Sequence, residues 1–273
     1  MDRYAVLGHP VAHSLSPQIH QGFAQQFGLA LSYEKLDVAP QQFADTLARL
    51  HADGYRGLNI TLPHKLAALA AAVEKAPRAQ LAGAANALVR LAQGWRADNT
   101  DGDGLIRDLR DNNWLTLGGK RALLLGAGGA ARGALKPLLD ERPALLVISS
   151  RTPWVVEKLA EEFKAHGPLR PSTHLALKGD SFDLIINATS AGHDGQVPRL
   201  PAGLLKDGGA CYDLSYGKAF EPFRNWALAQ GARVVADGIG MLVEQAASSF
   251  ELWHGRRPKT QPVIASVRNR SVV

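Results

Sequence analysis

The sequence predicts a two-domain α/β protein, in which an N-terminal domain with a mainly parallel sheet is followed by a doubly wound domain. Three observations carry this. Short β-rich apolar runs alternate with helical patterns along most of the chain, the signature of βα units around a largely parallel sheet. The polar, glycine-punctuated stretch 111–120 (DNNWLTLGGK) interrupts that alternation, which then starts afresh. And a glycine-rich turn follows the first wholly apolar strand after the interruption, at 126–131.

In order, residues 3–8 read as a strand, 17–27 as a helix, 32–38 as a strand and 41–52 as a helix. Residues 55–61 form a strand leading into a helix from Pro63, and 87–91 and 95–97 are short strands before a helix from about Asp103. Beyond the interruption, 121–125, 145–149, 182–187 and 210–214 read as strands, with helices at 129–139 and 154–165. The wholly apolar strands among these suit a sheet covered on both faces. Two C-terminal helices, 240–253 and 261–268, have no sheet of their own and are expected to pack back on the first domain.

With 273 residues, 46% of them hydrophobic, the chain is long enough for one large or two medium domains. The N-terminus lacks a signal-peptide core, and no apolar run approaches the roughly 18 residues that span a bilayer. A single cysteine, Cys211, leaves no internal disulfide and no cysteine-based metal cluster. These features lead us to expect a protein of a reducing, cytoplasmic setting, without membrane or metal. The formal charge of +6 forms no long basic block. Arg256, Arg257, Lys259, Arg268 and Arg270 gather near the C-terminus and read as a solvated surface, not a nucleic-acid site.

Gly126-Ala127-Gly128-Gly129-Ala130-Ala131 is G-x-G-x-x-A between a strand and a helix, the context in which that motif binds a dinucleotide. Gly126 permits the tight turn, Gly128 lets a pyrophosphate approach the backbone, and Ala131 allows close helix–strand packing. The second domain is therefore of Rossmann type. Where an NAD site places an acid at the end of the next strand, this chain has Ser149-Ser150-Arg151-Thr152. A guanidinium suits a 2′-phosphate, so NADP is favoured.

Four strand-to-helix junctions follow from the pattern. His13-Ser14-Leu15-Ser16-Pro17 sets two hydroxyls at a helix start, with Ser16 the expected N-cap and Pro17 the first helical residue. Asn59-Ile60-Thr61-Leu62-Pro63-His64-Lys65 places Lys65 in a first helical turn, where the dipole disfavours a cation. A local rule broken without structural gain points to function. Asn99-Thr100-Asp101-Gly102 and Asp237-Gly238-Ile239-Gly240 are the other two. Ligands bind outside the carboxyl ends of such strands, so Ser14, Ser16, Asn59, Thr61, Lys65 and Asp101 suit a small hydroxylated carboxylic acid. His9, His13, His20 and His64 lack zinc-ligand spacing and read as loop and capping residues.

These segments, with Gly8-His9-Pro10-Val11-Ala12 before them and Asn187-Ala188-Thr189-Ser190 and Met241-Leu242-Val243-Glu244-Gln245-Ala246 after them, resemble the shikimate dehydrogenase family from end to end. The resemblance implies reversible NADPH-dependent reduction of 3-dehydroshikimate to shikimate, in chorismate and aromatic amino acid biosynthesis. It implies a substrate domain over residues 1–101, completed by helices within 238–273, and an NADP domain over 102–237. Ser14 and Ser16 would hold the carboxylate, while Asn59, Thr61, Asn86, Asp101 and Gln245 bind ring hydroxyls, with Tyr216 nearby. Lys65 would be the acid–base residue and Asp101 its catalytic partner. Gly126, Ala127, Gly128, Gly129, Ala130, Ser150, Arg151, Thr152, Ala188, Thr189, Ser190 and Leu214 would contact NADP, with Gly238 and Met241 lining the nicotinamide pocket. The family is usually homodimeric.

Three positions depart from the family pattern. Ser150 stands where the family often has Asn, Val155 where a second basic residue is expected, and Ala87 where Thr follows Asn86. The phosphate clamp then rests mainly on Arg151. An acid at position 150 or 151 would have favoured a quinate/shikimate dehydrogenase of broader choice, and the hydroxyls at 14 and 16 argue against a folate-type methylene dehydrogenase. A non-catalytic NADP-binding regulator would be free to lose Lys65 and Asp101, yet both are present.

Overall fold

The structure is a computed structural model that describes residues 1–270; the end of the expected 238–273 segment, 271–273, lies outside the described residues. The chain divides into two compact units: Met1–Gly104 together with the chain from Leu242 on, and Leu105–Met241.

The first unit contains β1 (Asp2–Gly8), α1 (Ser16–Gln26), β2 (Leu31–Asp37), α2 (Phe43–Ala52), β3 (Gly57–Ile60), α3 (Lys65–Ala71), β4 (Glu74–Lys75) and α4 (Pro77–Ala82). It continues with β5 (Ala87–Leu91), β6 (Gly94–Asp98) and the start of α5 (Asp101–Arg107). The sheet order is β2-β1-β3-β5-β6-β4. β1 pairs in parallel with β2 and β3, and β4 with β6, while β5 is antiparallel to both of its neighbours. Side chains alternate across β1. Ala5 and Leu7 pack with Phe43, Leu47 and Leu50 of α2, and Tyr4 and Val6 pack on the other face with Tyr33 and Trp253.

The second unit contains a single π-helical turn (Asp108–Asn112), then β7 (Arg121–Leu125), α6 (Gly129–Asp140), β8 (Leu145–Ser150), α7 (Pro153–Phe163) and β9 (Leu169–Thr173). It is completed by β10 (Phe182–Asn187), β11 (Leu205–Asp213), α8 (Glu221–Ala229) and β12 (Val234–Ala236). Its sheet is wholly parallel, in the order β12-β11-β10-β7-β8-β9. Numbered within the unit this is 6-5-4-1-2-3, the doubly wound arrangement that reverses direction between its first and fourth strands. The α/β fold class expected from the sequence is the one observed. α9 (Ile239–His254) then leads back to the first unit, where α10 (Gln261–Arg270) follows. Within that unit α10 packs on α1, bringing Val263 to within 3.2 Å of where a Gly22 Cβ would stand.

The elements the sequence did not signal are β4, α4, β9, α8 and β12. β4 has two residues, α4 six, and β9 and β12 are sheet edges. β12 has only three residues, and β9 shows no strong apolar pattern, carrying Arg170 and Pro171. Among the described residues no helix is long and apolar enough to cross a membrane. Nor is any group of three or more His, Cys, Asp or Glu placed to hold a metal ion.

The carboxyl half of α9 is fixed by one close approach. The Trp253 indole lies where a side chain on Gly57 would be, and its Nε1 donates to the Leu88 carbonyl at 3.1 Å. We therefore expect Gly57→Ala to destabilise the fold by about 1–3 kcal/mol or more, the usual cost of overpacking. Urea unfolding of the variant measures this, and an unchanged midpoint would contradict it.

Candidate active site

At the carboxyl ends of β1 and β3, the chain turns into helices whose first residues are polar. α1 begins at Ser16, one residue earlier than expected, with Leu15 at the N-cap and no side-chain cap. Ser16 is thus not the N-cap. The reason is local: the Ser14 hydroxyl accepts the Ser16 N–H at 3.3 Å and lies 3.2 Å from the Ser16 hydroxyl, closing a turn before the helix. Both hydroxyls sit at one uncapped helix start.

α3 begins at Lys65 itself, after His64, and Thr61 supplies no side-chain cap. Thr61 instead presses its methyl against Gly8, where a Cβ would stand 2.5 Å away. α5 begins at Asp101, two residues earlier than expected, and the Asp101 N–H is taken by Asn99 Oδ1 at 3.1 Å. Lys65 Nζ donates to Asp101 Oδ2 at 2.5 Å, in a pair whose side chains are 25% and 13% exposed. The pair is reachable, yet shielded enough for its charges to interact strongly.

A chain of hydrogen bonds supports this pair. Asn86 Nδ2 lies within reach of Asp101 Oδ1 (2.8 Å), Thr100 Oγ1 (2.9 Å) and Gln245 Oε1 (3.1 Å). Its Oδ1 accepts the Thr100 N–H at 2.8 Å. Asn59 donates to the Asn86 carbonyl (3.3 Å) and to Ser249 Oγ (3.0 Å), and its Oδ1 is approached by Tyr33 Oη (2.6 Å) and His20 Nε2 (3.0 Å). Tyr33 also bonds Ser16. The expected residues Ser14, Ser16, Asn59, Asn86, Asp101, Lys65 and Gln245 are therefore linked in one polar network. All four hydrogen-bonding positions of Asn59 are occupied by protein groups, so its side chain holds neighbours in place.

Sequence reasoning missed Tyr33, Thr100, Ser249 and the role of His20. His20 was expected in a loop or cap; instead it is fully buried in α1, stacked on Tyr33 at 4.6 Å between centroids. Burial drives its pKa down to about 3, only partly opposed by the Asn59 bond. The neutral ring donates through Nε2 to Asn59. The one available signal was its position, one helical turn after Ser16, on the face that α1 buries.

In the second unit, the carboxyl ends of β7, β8, β10 and β11 present the other expected residues. Gly126 has φ +108°, and a Cβ there would lie 2.8 Å from the Ala188 carbonyl oxygen. Glycine is required by both conformation and space. Side chains at Gly128 and Gly129 would meet nothing within 4 Å, and no side chain caps α6. Its first amides thus face an open cradle suited to phosphate. Thr189 gives its N–H and hydroxyl to Asn187 Oδ1 at 3.1 and 2.7 Å. Asn187 in turn donates to Asp213 Oδ2 at 3.0 Å, and burial lifts the Asp213 carboxyl to about 6. A Cβ on Gly238 would overlap the Leu214 carbonyl, so these two residues, distant in sequence, are in contact. The Met241 N–H is held by the Tyr212 hydroxyl. Tyr216 lies in this unit, with burial raising its phenol pKa. Ser150 closes a turn with Thr152, its hydroxyl donating to the Thr152 carbonyl at 2.9 Å. Among the basic C-terminal residues, Arg257 is bound by Glu244 at 2.6 Å.

Comparison with known proteins agrees along the chain. Residues 6–88 match the family described as shikimate dehydrogenase substrate binding domain, 109–195 shikimate / quinate 5-dehydrogenase, and 238–268 the shikimate 5′-dehydrogenase C-terminal domain. The shikimate dehydrogenase (NADP(+)) of Methylococcus capsulatus is 51% identical over 97% of this chain and 96% of its own length. That of Alkalilimnicola ehrlichii is 48% identical over 98% of each. Among solved structures, shikimate 5-dehydrogenase of Thermus thermophilus in complex with NADP(H) and shikimate is 36% identical with a TM-score of 0.88, covering 99% of this chain and 100% of that one. An Ael1 enzyme from Pseudomonas putida is 44% identical with a TM-score of 0.92, covering 97% and 98%.

The buried His20 gives stability a pH dependence. Its folded pKa, about 3, lies below the ordinary 6.5, so above about pH 6.5 neither state is protonated and its contribution is complete. As pH falls below 6.5 the unfolded chain takes up the proton first, and stability falls until about pH 3. We expect this one group to remove up to roughly 4–5 kcal/mol, at about 1.4 kcal/mol per pKa unit. Urea unfolding between pH 7 and 4, with the His20 ring followed by NMR, measures it; an imidazole titrating near 6.5 in the folded protein would refute the account.

Proposed function

The chain belongs to the shikimate dehydrogenase family, and from that premise we propose that its Lys65–Asp101 pair carries the proton half of the reaction. The enzyme is an NADP-dependent oxidoreductase that interconverts 3-dehydroshikimate and shikimate. Bound NADPH supplies the hydride, and what falls to the chain is binding, orientation and proton transfer.

The observation that carries the proposal is the 2.5 Å contact of Lys65 Nζ with Asp101 Oδ2 in a partly shielded site. In the reducing direction the ammonium of Lys65 gives a proton to the oxygen that receives charge as the carbonyl is reduced. In the oxidising direction its amine takes the hydroxyl proton back. Asp101 holds the nitrogen in place, its second oxygen fixed by Asn86. Around Asn86 Nδ2, two hydrogens serve three acceptors. A substrate hydroxyl that donates into this cluster supplies the missing hydrogen, which is how Asn86, Asp101 and Gln245 would select a polyhydroxylated ring. Ser14 and Ser16, at the uncapped start of α1, would receive the carboxylate. Thr61 would add a hydroxyl from the adjoining turn.

For NADP, the open cradle of 126–130 suits the pyrophosphate, and Arg151 suits the 2′-phosphate beside Ser150 and Thr152. Ala188, Thr189, Ser190 and Leu214 would contact the cofactor, with Gly238 and Met241 lining its nicotinamide pocket. Residues 1–101 with the C-terminal helices would then serve the substrate, and residues 102–237 the cofactor. We also propose a cytoplasmic location and a homodimeric state, the latter checked by light scattering of the purified protein.

Steady-state kinetics with shikimate and NADP test the core of this. Lys65→Ala is expected to lower kcat by about 10²–10⁴, the usual worth of a general acid–base, with KM for shikimate changed only a few-fold. Ser16→Ala should instead raise that KM. A Lys65→Ala variant of unchanged kcat would remove the lysine from the chemistry.

A further inference from the structure

The segment 149–156 (SSRTPWVV) carries one charged residue, Arg151. The Ser150 hydroxyl is engaged by Thr152, donating to its carbonyl at 2.9 Å and accepting its N–H at 3.1 Å. A phosphomonoester carries about −1.5 to −2 at neutral pH, so one guanidinium leaves a 2′-phosphate under-neutralised. The neighbouring strand holds a second basic group. β8 and β9 run in parallel, with Ser149 opposite Ser172 and Ser150 opposite Thr173. Arg151 and His174 are each the next residue past that last pair. His174 is 7% exposed, and its Nδ1 lies 2.9 Å from Ser149 Oγ.

We propose that His174 is a second specificity-determining residue for the 2′-phosphate of NADP, taking a proton from solvent onto its imidazole when that phosphate binds and so favouring NADP over NAD. The proposal rests on the assignment of the 2′-phosphate to Arg151. Burial first, and then the charge of Arg151, hold the imidazole below its ordinary pKa. The ring is therefore neutral while Arg151 is unopposed. A dianion beside Arg151 cancels the repulsive charge and adds an attractive one, and both changes favour the protonated ring. The segment 171–177 (PSTHLAL) has no further titratable residue. α7, which packs against β9, carries the charged residues Glu157, Lys158, Glu161 and Glu162, while the charge that lowers the imidazole's pKa is that of Arg151. One N–H bond forms, the solvent loses one proton, and no redox partner is needed.

Titration calorimetry of the full-length protein with NADP at pH 7.5, in buffers of different ionisation enthalpy, counts the protons taken up on binding. The 2′-phosphate, with a pKa near 6, releases protons when it meets a cation, so a net uptake has to come from the protein. We expect uptake of about half a proton or more with NADP and none with NAD. His174→Gln, whose amide retains a bond to Ser149, should abolish the uptake and weaken NADP binding about five- to tenfold, with NAD binding and Tm unchanged. Absence of uptake in the wild type, or an NADP affinity of His174→Gln within twofold of wild type, overturns the proposal. Should the variant not fold, the wild-type proton count decides alone. Arg151→Ala separates the two readings. If it binds NADP as the wild type does, the phosphate assignment fails; if it binds weakly while the wild type takes up no proton, only the role of His174 fails.

Discussion

The side-chain amide of Asn59 receives two hydrogen bonds, from Tyr33 and His20, and gives two, to the Asn86 carbonyl and Ser249. It is 6% exposed, so each of these bonds is made in place of one with water. Leaving any one unmade costs more than making it returns. The amide therefore fixes α1 through His20, β2 through Tyr33, the turn before β5 through Asn86 and α9 through Ser249. Ser16, Asn86 and Gln245 derive their positions from those elements.

The Lys65–Asp101 pair depends on this frame for its geometry and on helix electrostatics for its character. Asp101 heads α5, where the exposed amides favour a carboxylate; Lys65 heads α3, where they oppose an ammonium. The contact between them offsets an unfavourable placement of the cation with a favourable placement of the anion. A lysine left at a helix start without that partner would gain nothing from being there. Its location makes physical sense only with the contact formed.

The sequence discloses this site unevenly. The parallel strands of the second unit are legible because burial on both faces leaves wholly apolar runs, such as 122–125. Residues with an anomalous local position, Lys65 above all, are legible because helix rules have a sign. Ser14, Ser16 and Asp101 stand at junctions and can be found for that reason. Tyr33 and Ser249 could not be found this way. A tyrosine on a strand and a serine on a helix satisfy every local rule, and only their pairing with a residue 26 or 190 positions away gives them a role. His20 was misread because proximity in sequence to a turn says nothing of which face of α1 it occupies. β12 escapes because three residues are too few to show a period, and β9 because its mixed residues, LRPST, show none; with β9 goes His174, the next residue along.

The bonds that Ser249 makes to Asn59 and Thr100 span 190 and 149 positions of sequence. During synthesis, at about 5–20 residues per second, roughly 7–30 s pass between the appearance of Thr100 and that of Ser249. The whole of 105–241 is made in that interval, with all six strands of its own sheet. The second unit can thus mature while the first still lacks its closing helix. A nascent chain stopped short of α9 would leave Asn59 without its Ser249 partner. Order of manufacture, and not only final energy, separates the two halves of this enzyme.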